Sequence, residues 1–223
     1  MTMQITHRMT TAANTCKKLT CTLFVAALFC FVSLPAHAQQ AGTMTPQQLV
    51  PLLQKGGLIL YIRHAATDHS QSDRDLSDLT KCNLQRNLSE QGKQESMAMS
   101  TAIRALRIPV DMVFSSPYCR CVDTAMIVFD RYEILNDMQA TFYTDKAQTK
   151  RLADFLRMQL SAIPAKGVNT VLVGHTANLR EVTKVWPKPE GVTHVFEPQG
   201  AGQYRHLGRI LPTDWPSLIK NMQ

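Results

Sequence analysis

Leu58-Ile59-Leu60-Tyr61-Ile62-Arg63-His64-Ala65-Ala66-Thr67 is the stretch whose reading decides the fold. Five apolar residues, β-branched at Ile59 and Ile62, run directly into a guanidinium and an imidazole. A short, continuously apolar run after Gly56-Gly57 predicts a strand buried on both faces, near the centre of a sheet. Arg63 and His64 then stand just past its carboxyl end, the edge at which open α/β sheets build ligand sites.

Working outward, two more short runs have the same form. Met112-Val113-Phe114 leads into Ser115-Ser116-Pro117, with Arg120 in the first turn of a helix read over Cys119–Phe129. Thr170–Val173 runs into Gly174-His175-Thr176. Helices are expected between these strands. Thr45 caps one that starts at Pro46 and runs to Leu53. A second runs from Ser89 to about Leu106, with Met99, Ala102, Ile103 and Leu106 on one face, and a third from Gln148 to Leu160 buries Leu152, Phe155, Leu156 and Leu160. A fourth spans Ala177–Trp186 and is ended by Pro187 and Pro189. Asp68 to Arg86 holds four aspartates and no apolar period, so it reads as a loop over the sheet edge. Residues 130–145 are ambiguous, with a weak strand signal near Thr141–Tyr143, and strands at His194–Glu197 and Gln203–Ile210 close the chain. This alternation predicts an α/β fold: a mostly parallel central sheet with helices on both faces.

The first 38 residues read as a leader rather than as part of that fold. Lys17 and Lys18 precede an apolar run from Leu19 to Leu34, and Ala36-His37-Ala38 follows with small residues at both cleavage-determining positions. The expectation is a cleaved signal peptide over 1–38, a single domain over 39–223 and a periplasmic or secreted location. Loss of Arg8, Lys17 and Lys18 lowers the net charge from +7 to +4. The remaining charge is spread along the chain, which argues against a nucleic-acid partner. No later run is long enough to span a membrane. Cys82, Cys119 and Cys121 remain after processing. In an oxidising compartment such an odd set predicts one bridge and one free thiol, with Cys82 paired to one of the other two.

Three strand ends thus carry Arg63 and His64, Arg120, and His175. In a parallel sheet these converge in one crevice, a cationic pocket whose natural guest is a tetrahedral dianion. Arginine forks bind phosphate oxygens in pairs, a helix start beside Arg120 adds its amides and dipole, and an imidazole can attack phosphorus.

At these residues the chain resembles the histidine phosphatase superfamily, with its phosphoglycerate-mutase-like fold. The resemblance rests on Arg63-His64-Ala65-Ala66-Thr67, Arg86-Asn87-Leu88-Ser89 with Gly92, Ser115-Ser116-Pro117-Tyr118-Cys119-Arg120 with Thr124-Ala125, and Val173-Gly174-His175. It implies a phosphomonoesterase in which His64 becomes phosphorylated, Arg63, Arg120 and His175 hold the phosphoryl oxygens, and Thr67 assists by hydrogen bonding. It implies no metal or other cofactor. Ala65 departs from the glycine common at that place. The proton donor is less well marked: Asp137 matches its local context and Asp145 its usual distance from the second arginine. The resemblance also brings the loop before Arg86 close to the Ser116–Arg120 turn, which favours Cys82–Cys119 as the disulfide, with Cys82–Cys121 as the fallback. The expected substrate is a phosphorylated small molecule or a phosphorylated envelope component such as a lipopolysaccharide core heptose. The competing reading is a weakly catalytic phosphate-ligand-binding protein on the same fold.

Overall fold

The computed structural model describes residues 44–220, so the expected leader over 1–38 lies outside the described residues. One sheet organises this part. Its strands are β1 (Ile59–Arg63), β2 (Val110–Ser115), β3 (Glu133–Ile134), β4 (Asn169–Gly174), β5 (Thr193–Gly200) and β6 (Gln203–Ile210), in the order β3-β2-β4-β1-β5-β6. β3, β2, β4 and β1 are mutually parallel, whereas β5 runs antiparallel to β1 and β6 antiparallel to β5. The sheet is mixed and mostly parallel. The register places Arg63 opposite Gly174 and Ser115 opposite Val173, so three neighbouring strands end along the same edge.

The apolar run of β1 divides between two cores, as alternation of side chains across a strand requires. Leu60 and Ile62 enter a core shared with α1 (Pro46–Lys55), α2 (Glu90–Ala105), α3 (Cys119–Phe129) and α6 (Asp214–Lys220), represented by Leu53, Met99, Val128 and Trp215. Ile59 and Tyr61 enter the opposite core, built with Leu156 and Leu160 of α4 (Lys146–Ser161) and Leu179 and Val182 of α5 (Thr176–Thr183). Burial on this scale stabilises by about 1.5–3 kcal/mol for each large apolar side chain, which fixes β1 against sliding.

The helix starts follow their caps. Thr45 and Gln48 form a capping box at α1, with Pro46 in the first turn, and Ser89 accepts the Gly92 amide at α2.

Three expectations need correction. α5 ends at Thr183, not Trp186, because Lys184 takes a left-handed conformation (φ 63°) and caps it onto the Arg180 carbonyl. Thr141–Tyr143 is a 3-10 turn rather than a strand, and Phe142 and Tyr143 are exposed. The strand of this region is the two-residue β3. The closing helix α6 was not anticipated. Pro216 falls in its first turn, where a missing N–H costs nothing, and Trp215 and Leu218 are buried against the first core.

Candidate active site

The end of β1 and the end of β4 are joined beyond the last paired residues. The His64 amide donates to the Gly174 carbonyl (3.0 Å), which holds the backbone of the first imidazole against β4. His175 is the residue at which β4 passes into α5, in the N-cap position. The Tyr61 hydroxyl crosses beneath it and donates to the His175 carbonyl (2.8 Å). A Cβ at position 174 would collide with that hydroxyl, so the close approach requires Gly174. The two imidazole centroids come within 5.6 Å.

Both rings are buried, and both are held in the neutral form. Burial pushes the His64 pKa far below the ordinary imidazole range, and the guanidiniums of Arg120, Arg63 and Arg86 act in the same direction. For His175 burial again dominates, followed by Arg120 and by His64 itself. His64 Nδ1 lies 3.0 Å from the Ala65 carbonyl. An acceptor there fixes the proton on Nδ1 and leaves Nε2 with its lone pair. His175 Nε2 lies 2.8 Å from the Ser116 hydroxyl, and the Tyr118 ring packs edge-on against it at 4.8 Å.

Three guanidiniums surround the pair, each oriented from its outer side. Arg63 Nη2 donates to Glu190 (2.8 Å) and Nη1 to the Pro187 carbonyl (3.2 Å). Arg120 Nη1 donates to Asp73 (3.0 Å) and, at 3.4 Å, to the Arg86 carbonyl. Its ion pair with Asp73 is almost completely buried. Arg86 lies 3.8 Å from Glu190. Among the described residues, the Nε atoms of Arg63, Arg86 and Arg120 are all buried without a hydrogen-bond partner. Buried donors of this strength are rarely left unpaired without reason.

The structure therefore brings Arg63, His64, Arg120 and His175 together, and Thr67 beside them. Thr67 is engaged with Glu190 through both its amide (2.8 Å) and its hydroxyl (3.1 and 3.2 Å). Asp137 and Asp145 lie elsewhere in the network: Asp137 pairs with Arg151 (2.7 Å), and Asp145 caps α4 by accepting the Gln148 amide (2.8 Å). Cys82 and Cys119 form a disulfide, their Cα atoms 5.6 Å apart. Cys121 is free and buried. Burial pushes its thiol up to about 12, so it is no nucleophile although it lies 3.6 Å from His175. The first amide of α3 is not free for an anion either, because Cys119 N donates to the Gln85 side chain (3.1 Å).

Four participants escaped the sequence reading as site residues. Arg86 stood in a recognised motif without an assigned role. Ser116 stood in another. Asp73 was one of four similar aspartates in a polar loop, of which Asp68, Asp75 and Asp78 accept from the amide two residues ahead while Asp73 turns inward to Arg120. Glu190 carried no local signal, since its role comes from an antiparallel strand pairing far along the chain.

The geometry can be set beside known proteins. The family model of the histidine phosphatase superfamily (branch 1) matches residues 59–141. None of the curated proteins compared with the chain matches it. Among solved structures, the protein histidine phosphatase SixA complexed with tungstate is similar, at 14% identity over 70% of this chain and 98% of that one, with a TM-score of 0.51. A mycobacterial glucosyl-3-phosphoglycerate phosphatase aligns at 15% identity over 68% of this chain and 97% of that one, with a TM-score of 0.49. At these identities the likeness is one of fold, and it rests on the first of the two. The matched model runs from β1 across the Arg120 turn, so the part of the chain that carries Arg63, His64 and Arg120 is similar to the histidine phosphatase superfamily.

Proposed function

We propose that the protein is an exported phosphomonoesterase that works through a phosphohistidine on His64 and needs no metal. The observation that carries this reading is the set of three buried, unpartnered guanidinium Nε atoms around two neutral imidazoles. Those donors suit a phosphate dianion, and their pre-set positions favour charge that builds on the oxygens in the transition state. His64 Nε2 attacks phosphorus, the N–P bond forms and the P–O ester bond breaks, with the electron pair leaving on the ester oxygen. Water then cleaves the N–P bond and releases inorganic phosphate. Arg63, Arg120 and His175 bind the three oxygens, with Arg86 as a further cation.

His64 is the nucleophile in this reading because Nδ1 is committed to the Ala65 carbonyl, whereas His175 Nε2 is committed to Ser116. The Cys82–Cys119 disulfide suits an oxidising compartment, in keeping with removal of the leader over 1–38. N-terminal sequencing of the exported protein is expected to begin near Gln39.

The test is turnover of p-nitrophenyl phosphate by the purified protein, with and without chelator, followed by rapid alkaline quench to trap the phosphoenzyme. The wild type is expected to turn over regardless of chelator and to carry one acid-labile phosphate on His64. His64→Ala is expected to lose both. Phosphate trapped on His175, or full activity in His64→Ala, would overturn the assignment. Tight phosphate binding with no turnover would favour a binding protein instead.

A further inference from the structure

Two arginines of the anion site are fixed by carboxylates, and one of these carboxylates does more than pair. Glu190 Oε1 accepts from Arg63 Nη2 (2.8 Å), while Oε2 accepts from the Thr67 amide (2.8 Å). The Thr67 hydroxyl reaches both oxygens, and Arg86 and His69 approach at 3.8 and 3.7 Å. The carboxylate is only 10% exposed. Its backbone is fixed on one side by Gly191 N donating to the His64 carbonyl (2.9 Å) and by Arg63 N donating to the Val192 carbonyl (3.1 Å). Glu190 is thus attached to the end of β1 twice, once by its main chain and once by its side chain.

We propose that Glu190 is the positioning residue of the phosphate site, a single carboxylate that sets both the Arg63 fork and the turn through Thr67. The inference rests on the reading of His64 as a phosphate-accepting nucleophile. With Nη1 held by Pro187 and Nη2 by Glu190, the Arg63 guanidinium has one orientation, and its Nε is the donor left over. The same carboxylate fixes the two residues on either side of His64-Ala65-Ala66. Nucleophile and oxyanion donor are therefore aligned through one group. Glu190 only accepts hydrogen bonds in this network, so it is not assigned the transfer of a proton to the leaving group.

Two other roles for a carboxylate here make different predictions. A proton donor matters most when the leaving group is poor. A built-in competitor for the guanidiniums weakens phosphate binding, so its removal tightens it. A positioning residue affects all leaving groups alike and strengthens phosphate binding.

The experiment uses the whole protein, a series of aryl phosphates with leaving groups of graded acidity, and calorimetric binding of inorganic phosphate. Glu190→Ala is expected to lower kcat on the order of 100-fold for every aryl phosphate, the scale set by misplacing a reacting group by about 1 Å. It is also expected to weaken inorganic phosphate binding about tenfold. Glu190→Gln keeps the shape and one acceptor oxygen, so it should lose less than Glu190→Ala. Thr67→Val, which removes only the hydroxyl contact, provides a folded alternative if Glu190→Ala does not fold. Its loss should be smaller when added to Glu190→Gln, where one of the two oxygens that the hydroxyl reaches is already replaced.

A loss in Glu190→Gln that vanishes with the most acidic leaving group would make Glu190 a proton donor and overturn the proposal. Tighter phosphate binding in Glu190→Gln would overturn it in favour of a competitor. Wild-type turnover with a Glu190→Ala variant unchanged within twofold would overturn this inference and leave the phosphatase reading standing. A wild type that neither binds phosphate nor turns over would overturn the reading and the inference together.

Discussion

Two loops enter the same crevice and do the same chemical task by different means. The loop from Asp68 to Arg86 brings Asp73 to Arg120, and the segment from Lys184 to Val192 brings Glu190 to Arg63. The second segment lies along the end of β1, so backbone hydrogen bonds to Arg63 and His64 are enough to fix it. The first has no strand to lie along. Its aspartates at 68, 75 and 78 make local turns, and only Leu76 and Leu79 pack partly against the core. It is fixed instead by the Cys82–Cys119 disulfide and by Gln85, whose side chain accepts the Cys119 amide. A polar loop with little apolar area to bury cannot offset the entropy of its own ordering. A cross-link placed one residue before Arg120 supplies what the sequence composition cannot.

The largest effects should come from the two arginines. Replacing Arg63 or Arg120 with Ala is expected to lower kcat/KM by roughly 10²–10³-fold, as loss of a preorganised donor does. The two variants should part on stability. Arg120 is the more deeply buried, and its removal leaves the Asp73 carboxylate with the Arg86 amide (2.9 Å) but without its paired cation, a loss of up to about 3–5 kcal/mol for a buried pair. Arg63 is more open than Arg120, and on its removal Glu190 keeps the Thr67 amide and hydroxyl and the nearby Arg86 guanidinium. Denaturant unfolding of both variants checks this. Equal losses would break the comparison between the loops.

Removing the cross-link should come next in size. The bridge closes a loop with a sequence separation of 37, and the chain-entropy model gives about 4 kcal/mol for a loop of that length. Cys82→Ser is expected to lose stability on that scale and to weaken phosphate binding through the freed Asp73–Arg120 side. The Glu190–Arg63 side should be unaffected, so a further Glu190→Gln change should have its usual effect. Reductant should reproduce the effect in the wild type and add nothing in Cys82→Ser. Peptide mapping of the unreduced wild type that finds Cys82 and Cys119 both free would remove the basis of this prediction.

Acid should act on the residues between the loops rather than on the loops. His64 and His175 are buried neutral, and His194, beside His206 on the outer strands, is pulled down to about 3, mainly by burial. In the unfolded chain these rings take up protons below about pH 6.5, while in the folded chain they resist doing so. Stability is therefore complete above about pH 6.5 and is lost as the pH falls toward the folded values. Each histidine contributes a slope of up to about 1.4 kcal/mol per pH unit. Thermal unfolding from pH 7.5 to 4 checks the sign. His194→Asn should flatten the profile without changing phosphate binding, which separates the scaffold histidines from those of the site.

How much of this was legible beforehand follows from the same contrast. β1, β2 and β4 announced themselves because strands buried on both faces need continuous apolar runs, and the reactive residues at their ends came with them. Residues 203–210 and the amphipathic helices were equally plain. β3 was not, since two exposed residues on a sheet edge carry no periodicity. Nor was α6, where Pro216 masked a helix start. The site divided along the same line. Arg63, His64, Arg120 and His175 sit where local sequence dictates position. Asp73 and Glu190 meet their partners 47 and 127 residues away in sequence, contacts that only the folded sheet brings about. The same limit explains why Asp137 and Asp145 stood as donor candidates on local context and distance, while the carboxylates nearest the site went unread.

Those two aspartates supply the smallest prediction and the cleanest control on the comparison. Asp145 accepts the Gln148 amide at the start of α4, so Asp145→Ala is expected to cost about 1 kcal/mol, the usual cost of losing an N-cap. Asp137 pairs with Arg151 across a partly exposed surface, and such pairs contribute about 0–1 kcal/mol. Asp137→Ala should therefore fall at or below the cap effect. Neither side chain is held against an arginine of the anion site, unlike Asp73 and Glu190. Both variants are expected to keep kcat for p-nitrophenyl phosphate and for a poor leaving group such as an alkyl phosphate within twofold. A selective loss on the alkyl phosphate in either variant would return that aspartate to the role of proton donor. It would also mean that the carboxylates serving this reaction include one brought in by residues 130–145, outside both loops.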